Sequence, residues 1–474
     1  MRRSPMLLAL TALLASCSDD PIDQASTVAI VGDRSSAVAA ATNQGLVAFD
    51  ADGQIEPALA ERWIVSDDGL HFVFRLAQTN WINGKPVLAS EVAHSLNENF
   101  SRAAQGRLGH LFSAVADVDA MTSRIIDIRL KAPRPNMLQL LAAPEMGIHY
   151  NGYGTGPYSA VKNAKDLVTL RPLRATDGSD DGVTDAQLRA REIKLRGEGA
   201  ALAITHYQRA QVQAVLGGSF GTYPLVQSAQ IPAAQIVVDH PQGLFGLAFV
   251  GHGRLIGDAN IREALSMAID RSVLPKLLGV PGLAVRNTIL PDALDQASDP
   301  AAPDWAGYPI DVRRSEASKR IRDWSAQTKG EANIKVAILD EPGARLLFAR
   351  LAADWRTIGV RAQAVRLHTP SDLVLVDEVA PNASVNWYFT RLSCEANVTC
   401  NENEQNALAE ARAAPTLDAR AQAYSAADKA YNSYVPFIPL ANPIRWNLTS
   451  VQLVGLRPSA AALHPLIRLR SAKN

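Results

Sequence analysis

Cysteine is nearly absent, three in 474 residues. That excludes a fold held by a disulfide framework. Aromatic residues make up only 6%, and neither sign of charge is in surplus: 47 Lys and Arg stand against 47 Asp and Glu. A formal net charge of zero lacks the basic excess that a broad grip on nucleic acid needs, so no nucleic-acid partner is expected. Beyond the N-terminus no run stays apolar for the ~20 residues that a membrane span requires. The nine histidines are scattered without a close-spaced pair, so neither a metal nor another cofactor is expected. There is no internal repeat and no low-complexity run. What remains, 47% apolar and 20% charged with 30 Gly and 27 Pro, is ordinary globular composition. At about 150 residues per domain, the length corresponds to three domains or two large lobes.

The first 17 residues differ from the rest. Arg2 and Arg3 precede Met6 to Leu14, an almost wholly apolar stretch about half the length of a membrane span. Leu14-Ala15-Ser16-Cys17 follows. This resembles the bacterial lipoprotein signal, in which a cysteine is lipidated and becomes the mature N-terminus; the alternative is an ordinary cleaved signal with a stray cysteine. Several acyl chains anchor stably where one anchors weakly. The polar residues up to Ser26, with Asp19, Asp20 and Asp23, suit a tether. Export leads to an oxidising compartment, where Cys394 and Cys400 are expected to close a disulfide. A zinc pair sits two to four residues apart and needs further ligands, and no His is near.

Along the chain, 27–31 reads as a buried strand, 37–44 as a helix, and Asp52-Gly53 as the turn of a hairpin. Residues 56–63 read as a helical turn begun at Pro57. His71 to Leu76 alternates, with Phe72, Phe74 and Leu76 on one face of a strand. Ser90 is expected to cap a helix over 91–100. A strand at 125–130 and a short helix at 137–141 follow. Residues 174–192 read as a surface loop and 208–216 as helix. Farther on, 259–269 is a helix, and strand 334–339, helix 344–358 and strand 360–365 form a βαβ unit. Residues 404–434 read as helix broken at Pro415, with Thr416 capping the second part.

Several segments together resemble one family, the peptide/nickel-type extracellular solute-binding proteins of ABC importers. They are Gln44-Gly45-Leu46-Val47-Ala48-Phe49-Asp50, Pro57-Ala58-Leu59-Ala60-Glu61-Arg62-Trp63, Ser66-Asp67-Asp68-Gly69-Leu70, Phe72 to Leu76, and Trp81-Ile82-Asn83-Gly84-Lys85-Pro86-Val87. Later come Gly154-Thr155-Gly156-Pro157-Tyr158, Asn260 to Arg271, Ile358-Gly359-Val360 and Val435-Pro436-Phe437-Ile438-Pro439-Leu440. Trp63 and Trp81 read as core anchors, Gly154 and Gly156 as sites of a sharp turn, and Arg262, Asp270 and Arg271 as a structural ion-pair set. The resemblance implies an α/β, two-lobed periplasmic-binding-protein-like fold of type II with a small extra β-rich domain. The expected division is signal 1–17, tether 18–26, first lobe 27–46 with 151–240 and 441–474, small domain 47–150, and second lobe 241–440.

The same resemblance implies binding without catalysis. The solute is a peptide or another amine-bearing molecule, the partners are ABC permease subunits and the membrane, the location is the periplasm or cell envelope, and the protein is a monomer. Peptide-binding members carry a Trp-x-Ala-Asp-Tyr-like stretch whose Asp holds the peptide amino group. Here Leu373 to Pro381 stands in its place, so Asp377 or Glu378 is the candidate acidic anchor. Asn43, Gln44, Phe249, Trp387 and Tyr388 complete the expected solute contacts, although core packing is an equal claim for Trp387 and a solvated turn for either acid. Two other functions are open. A scaffold of the envelope could keep this fold without transport. A hydrolase could use Ser219 in Gly217-Gly218-Ser219-Phe220-Gly221, which fits G-x-S-x-G but needs a strand before the serine and a helix after it.

Overall fold

A computed structural model describes residues 25–471 apart from 51, 106–108, 165, 175–181, 252 and 293. Cys17, the signal and most of the tether lie outside these residues. Three sheets carry the architecture. The first has seven strands, in the order 158–164, 167–172, 193–198, 26–31, 214–219, 445–449 and 236–239. The second has five, in the order 361–366, 333–338, 373–379, 243–249 and 437–441. The third, of the small domain, has four: 60–65, 71–76, 125–130 and 115–120.

The local patterns explain these elements. Phe72, Phe74 and Leu76 are buried on one face of their strand, and Ile126, Ile128 and Leu130 answer them from the paired strand. The βαβ unit forms as its periodicity predicts: Asn333–Ile338 and Arg361–Arg366 pair in parallel across helix Pro342–Arg356. Leu347, Leu351 and Trp355 form the buried stripe of that helix. Gly359, at φ +87°, makes the turn into the next strand. Pro415 separates helices Glu402–Ala413 and Leu417–Tyr434, and the Thr416 hydroxyl accepts from the Ala419 N–H.

Other expectations fail. Residues 56–63 contain no helix; they belong to strands Ile55–Pro57 and Ala60–Val65, because pairing with Val47–Phe49 and His71–Leu76 outweighs the proline signal. The cap of helix Ala89–Ala104 is Leu88, and Glu91 receives the Leu88 N–H, so Ser90 is already inside. Asp185–Ala190 is a helix within the expected loop. Residues 208–216 end helix Ala200–Gln208 and begin strand Ala214–Ser219. Gly154 and Gly156 serve close approach and not a left-handed turn, since a Cβ on either would lie 2.1 or 2.4 Å from backbone oxygens of Thr42 and Ala41. Arg262 and Arg271 are structural but hold carbonyls more than carboxylates: Arg262 donates to Tyr434, Val435, Ile256 and Gly257, and Arg271 to Pro439 and Ser266.

One core continues from the first sheet, through Ala29, Tyr207 and Phe220, into the second, through Phe245, Leu247 and Trp355. A second core joins the small domain, through Phe74, Leu96 and Ile128, to Val385, Phe389 and Tyr431 of the second lobe. Cys394 and Cys400 are disulfide-bonded, with Cα atoms 5.5 Å apart. Among the described residues no helix is long and apolar enough to cross a membrane.

Candidate functional site

Two crossings connect the lobes. Strand Ile236–Asp239 of the seven-stranded sheet runs through 240–242 into Gly243–Phe249 of the five-stranded sheet. Strand Phe437–Ala441 returns through 442–444 into Arg445–Thr449. Short parallel connections of this kind can absorb a change of backbone angle while the sheets move as bodies. The site at which the lobes meet lies beside them.

From the first lobe, strand Ala214–Ser219 delivers Ser219 and Phe220 to the junction. Gly218 must be glycine, because a Cβ there would lie 1.9 Å from the Trp446 ring. The Trp446 indole N–H donates to the carbonyl of Ser219 at 3.0 Å. From the second lobe, the start of helix Pro342–Arg356 meets this loop: the Gly343 N–H donates to the Gly221 carbonyl at 2.7 Å. The Phe220 and Phe245 rings close the contact at 4.5 Å between centroids.

Charged groups gather around this contact. Asp377 and Glu378 end strand Leu373–Val379, and successive strand residues point to opposite faces. Asp377 therefore meets Arg445, whose Nη1 donates to both carboxylate oxygens at 2.9 and 3.1 Å while Nη2 donates to the Asp377 carbonyl at 3.2 Å. Burial pushes the Asp377 carboxyl up from its ordinary range, and Arg445 opposes that shift. Glu378 is held by Arg391, with Nε donating at 2.7 Å and Nη2 to the other oxygen. Glu341 receives the Ser219 hydroxyl at 3.4 Å. Burial raises its carboxyl too, and the neighbouring Asp377 charge adds to the effect.

The structure brings Asp377 to the junction and turns Glu378 to the other face of the strand, and it gives each an internal arginine. Phe249 and Trp387 are core side chains, 0% and 3% exposed, and Tyr388 is buried beside Trp387 at 0%. Asn43 ends helix Ser35–Thr42 and is wedged against Gly147 and Gly154, whose Cβ positions it would crowd at 2.8 and 2.3 Å. The Gln44 backbone holds Ile148 and Thr155, and its residue lines a different feature. That feature is a groove of about 920 Å³ between the small domain and the first lobe, with Leu59, Trp81, Gly154, Tyr158 and Arg470 also in its wall. Arg445 and Glu341 were not legible in the sequence. Glu341-Pro342 does mark a helix start, but Arg445 sits in no motif.

Ser219 is the C-terminal residue of a strand, and helix Tyr223–Ser228 follows. The order required for a nucleophile elbow is therefore present, contrary to the expectation of helix before the serine. Its hydroxyl, however, faces a carboxylate and not an imidazole. His464 is taken up by Asp239 at 2.8 Å and Asn447 at 3.1 Å, and His240 packs under Gly282.

The model of the bacterial extracellular solute-binding proteins, family 5 (middle region), matches residues 54–374. The glutathione-binding protein GsiB of Salmonella typhi is 26% identical over 325 residues, which is 61% of this chain and 59% of that protein's length. The probable di/tripeptide-binding protein 5 of Pseudomonas aeruginosa (strain UCBPP-PA14) is 24% identical over 472 residues, 86% of each chain. The structure of Haemophilus influenzae OppA in complex with RPPGFSPFR superposes with a TM-score of 0.76 at 16% identity, over 95% of this chain and 99% of that one. That likeness speaks to the fold alone.

Proposed function

Since the chain belongs to the bacterial extracellular solute-binding proteins of family 5, we propose that it captures a small peptide or peptide-like solute and delivers it to an ABC importer. Capture is by closure of the two lobes over the solute, without catalysis. The observation that carries this is the pair of short crossings between two sheets, with charged side chains from both lobes meeting beside them. The named relatives that bind glutathione and di/tripeptides support a peptide-like solute.

The protein works outside the cytoplasm, tethered through a lipid on Cys17 and acting as a monomer. Asp377 remains the proposed contact for a solute amine. An incoming ammonium must share that carboxylate with Arg445 or displace the guanidinium, which favours solutes that bring a second anchoring group. A thermal-shift screen of dipeptides, tripeptides, glutathione, opines and metal chelates tests the assignment. A true solute at a hundred times its dissociation constant stabilises the protein by about 2.7 kcal/mol. If only non-peptide solutes do so, the peptide assignment is wrong. If none does, the envelope-scaffold alternative takes its place.

A further inference from the structure

Arg286 stands in the segment after helix Leu274–Leu278. Its backbone is pinned: its N–H donates to the Leu440 carbonyl at 3.0 Å, Val285 bridges to Ala441, and the Asn442 N–H donates to Ala284 at 2.9 Å. The guanidinium reaches the first residue of the incoming strand, where Nη2 donates to the Gly243 carbonyl at 2.8 Å. Gly243 and Ala441 are the residues at which the two crossings enter and leave the five-stranded sheet. The charge is thus placed on the second-lobe side of the hinge.

The residue as a whole is half-buried, yet its Nε and Nη1 are fully buried and find no acceptor. The fully buried Tyr388 hydroxyl lies against the guanidinium, its polar neighbour there, and finds no acceptor for its own proton. Asp292 acts on Arg286 through its charge, without a hydrogen bond. Burial alone raises the Tyr388 hydroxyl to about 12, so it stays a donor throughout the physiological range. A buried guanidinium with unsatisfied N–H groups is costly to keep, and native chains keep one where something completes it. Three donors and one positive charge ask for several acceptor oxygens carrying negative charge. A carboxylate supplies two oxygens in the spacing that a guanidinium fork matches.

We propose that Arg286 and Tyr388 form the seat for a carboxylate of the solute. The proposal rests on the solute-binding function above and sharpens it: selection is led by an anionic group, because both candidate acidic anchors already hold arginines. The carboxylate is either a free C-terminus or an acidic side chain.

Two measurements test this. In calorimetry, wild-type protein is titrated with Ala-Ala-Ala, with its C-terminal amide, and with the amide of Ala-Glu-Ala. The free acid should bind, the amide should bind roughly 10- to 100-fold more weakly, and Arg286→Met should impose a similar loss on the acid but little on the amide. Recovery by Ala-Glu-Ala amide assigns the seat to a side-chain carboxylate. Equal binding of acid and amide overturns the proposal and leaves the solute-binding function standing. The second measurement needs no peptide. Without solute, Arg286→Met should melt at a higher temperature than wild type, because it removes a buried charge whose partner arrives with the solute; Arg286→Lys, which keeps the charge, should not gain. A lower melting temperature for Arg286→Met makes the residue a structural strut, and an unchanged one makes the site a place for ordered water only. Either result overturns the proposal even if no peptide of the series binds.

Discussion

At the scale of single residues, the Asp377–Arg445 pair joins the two lobes directly. Its partners are largely buried, with side-chain exposures of 8% and 19%. Removing one partner leaves the other charge in a poor dielectric, so Asp377→Asn is expected to cost roughly 3 kcal/mol in chemical denaturation. The double variant Asp377→Leu with Arg445→Met should recover most of that loss. If the double variant is as unstable as the two single losses added together, the pair is not coupled and does not link the lobes. Trp387 presents a different case. It was a candidate solute contact, but it is buried against Tyr388, with ring centroids 4.9 Å apart. Trp387→Ala should cost about 3–5 kcal/mol of stability, and a variant that folds with wild-type stability would return Trp387 to the solute. The sequence pointed to Asp377 through its place after an apolar strand. It could not reveal Arg445, because that contact spans 68 positions and depends on how two sheets pack.

Elements were more legible than contacts, for a physical reason. Alternation in Phe72-Val73-Phe74-Arg75-Leu76 and the helical stripe of Leu347, Leu351 and Trp355 are local patterns, and they gave the correct element types. Residues 56–63 and 208–216 misled because proline and small apolar residues are compatible with helix or strand, and sheet neighbours distant in sequence decided. One element carries its own pH dependence. Helix Glu402–Ala413 is capped by Glu404, which receives the Asn401 N–H at 2.9 Å, and burial raises that carboxyl to about 7. Asp428 in helix Leu417–Tyr434 is raised by burial to about 6. A carboxyl raised in the fold binds its proton more tightly than in the unfolded chain, so its stabilising effect is complete below the ordinary carboxylate range and is lost as pH rises through about 6 to 7. Stability should therefore fall between about pH 4 and 7, and Glu404→Gln should flatten that fall. A variant whose stability tracks the wild-type curve over this range would contradict the assignment.

For the whole molecule, two sheets joined at paired crossings make a device whose parts can close without refolding. The small domain takes part from the other side: the Asn136 amide donates to the Ala383 carbonyl at 3.2 Å, and the Ala383 N–H donates to Gln139 at 3.1 Å, tying it to the second lobe. Asn136→Ala combined with Gln139→Ala should lower the melting temperature of the solute-free protein by a few degrees, since these contacts edge the core that the small domain shares with the second lobe. An unchanged melting temperature would mean that these contacts do not hold the small domain to the second lobe. The proposed lipid on Cys17 predicts that Cys17→Ala releases the protein from membranes and blocks signal processing; mature variant that still fractionates with membranes would refute it. The central claim is that the solute lies where the lobes meet. A crystal structure of the protein with its best peptide from the thermal-shift screen tests this most directly. The account places the peptide beside the two crossings, in contact with Asp377 or Arg286 and with residues of both lobes. A peptide seated instead in the groove lined by Gln44, Trp81 and Tyr158, with the lobe junction untouched, would contradict it.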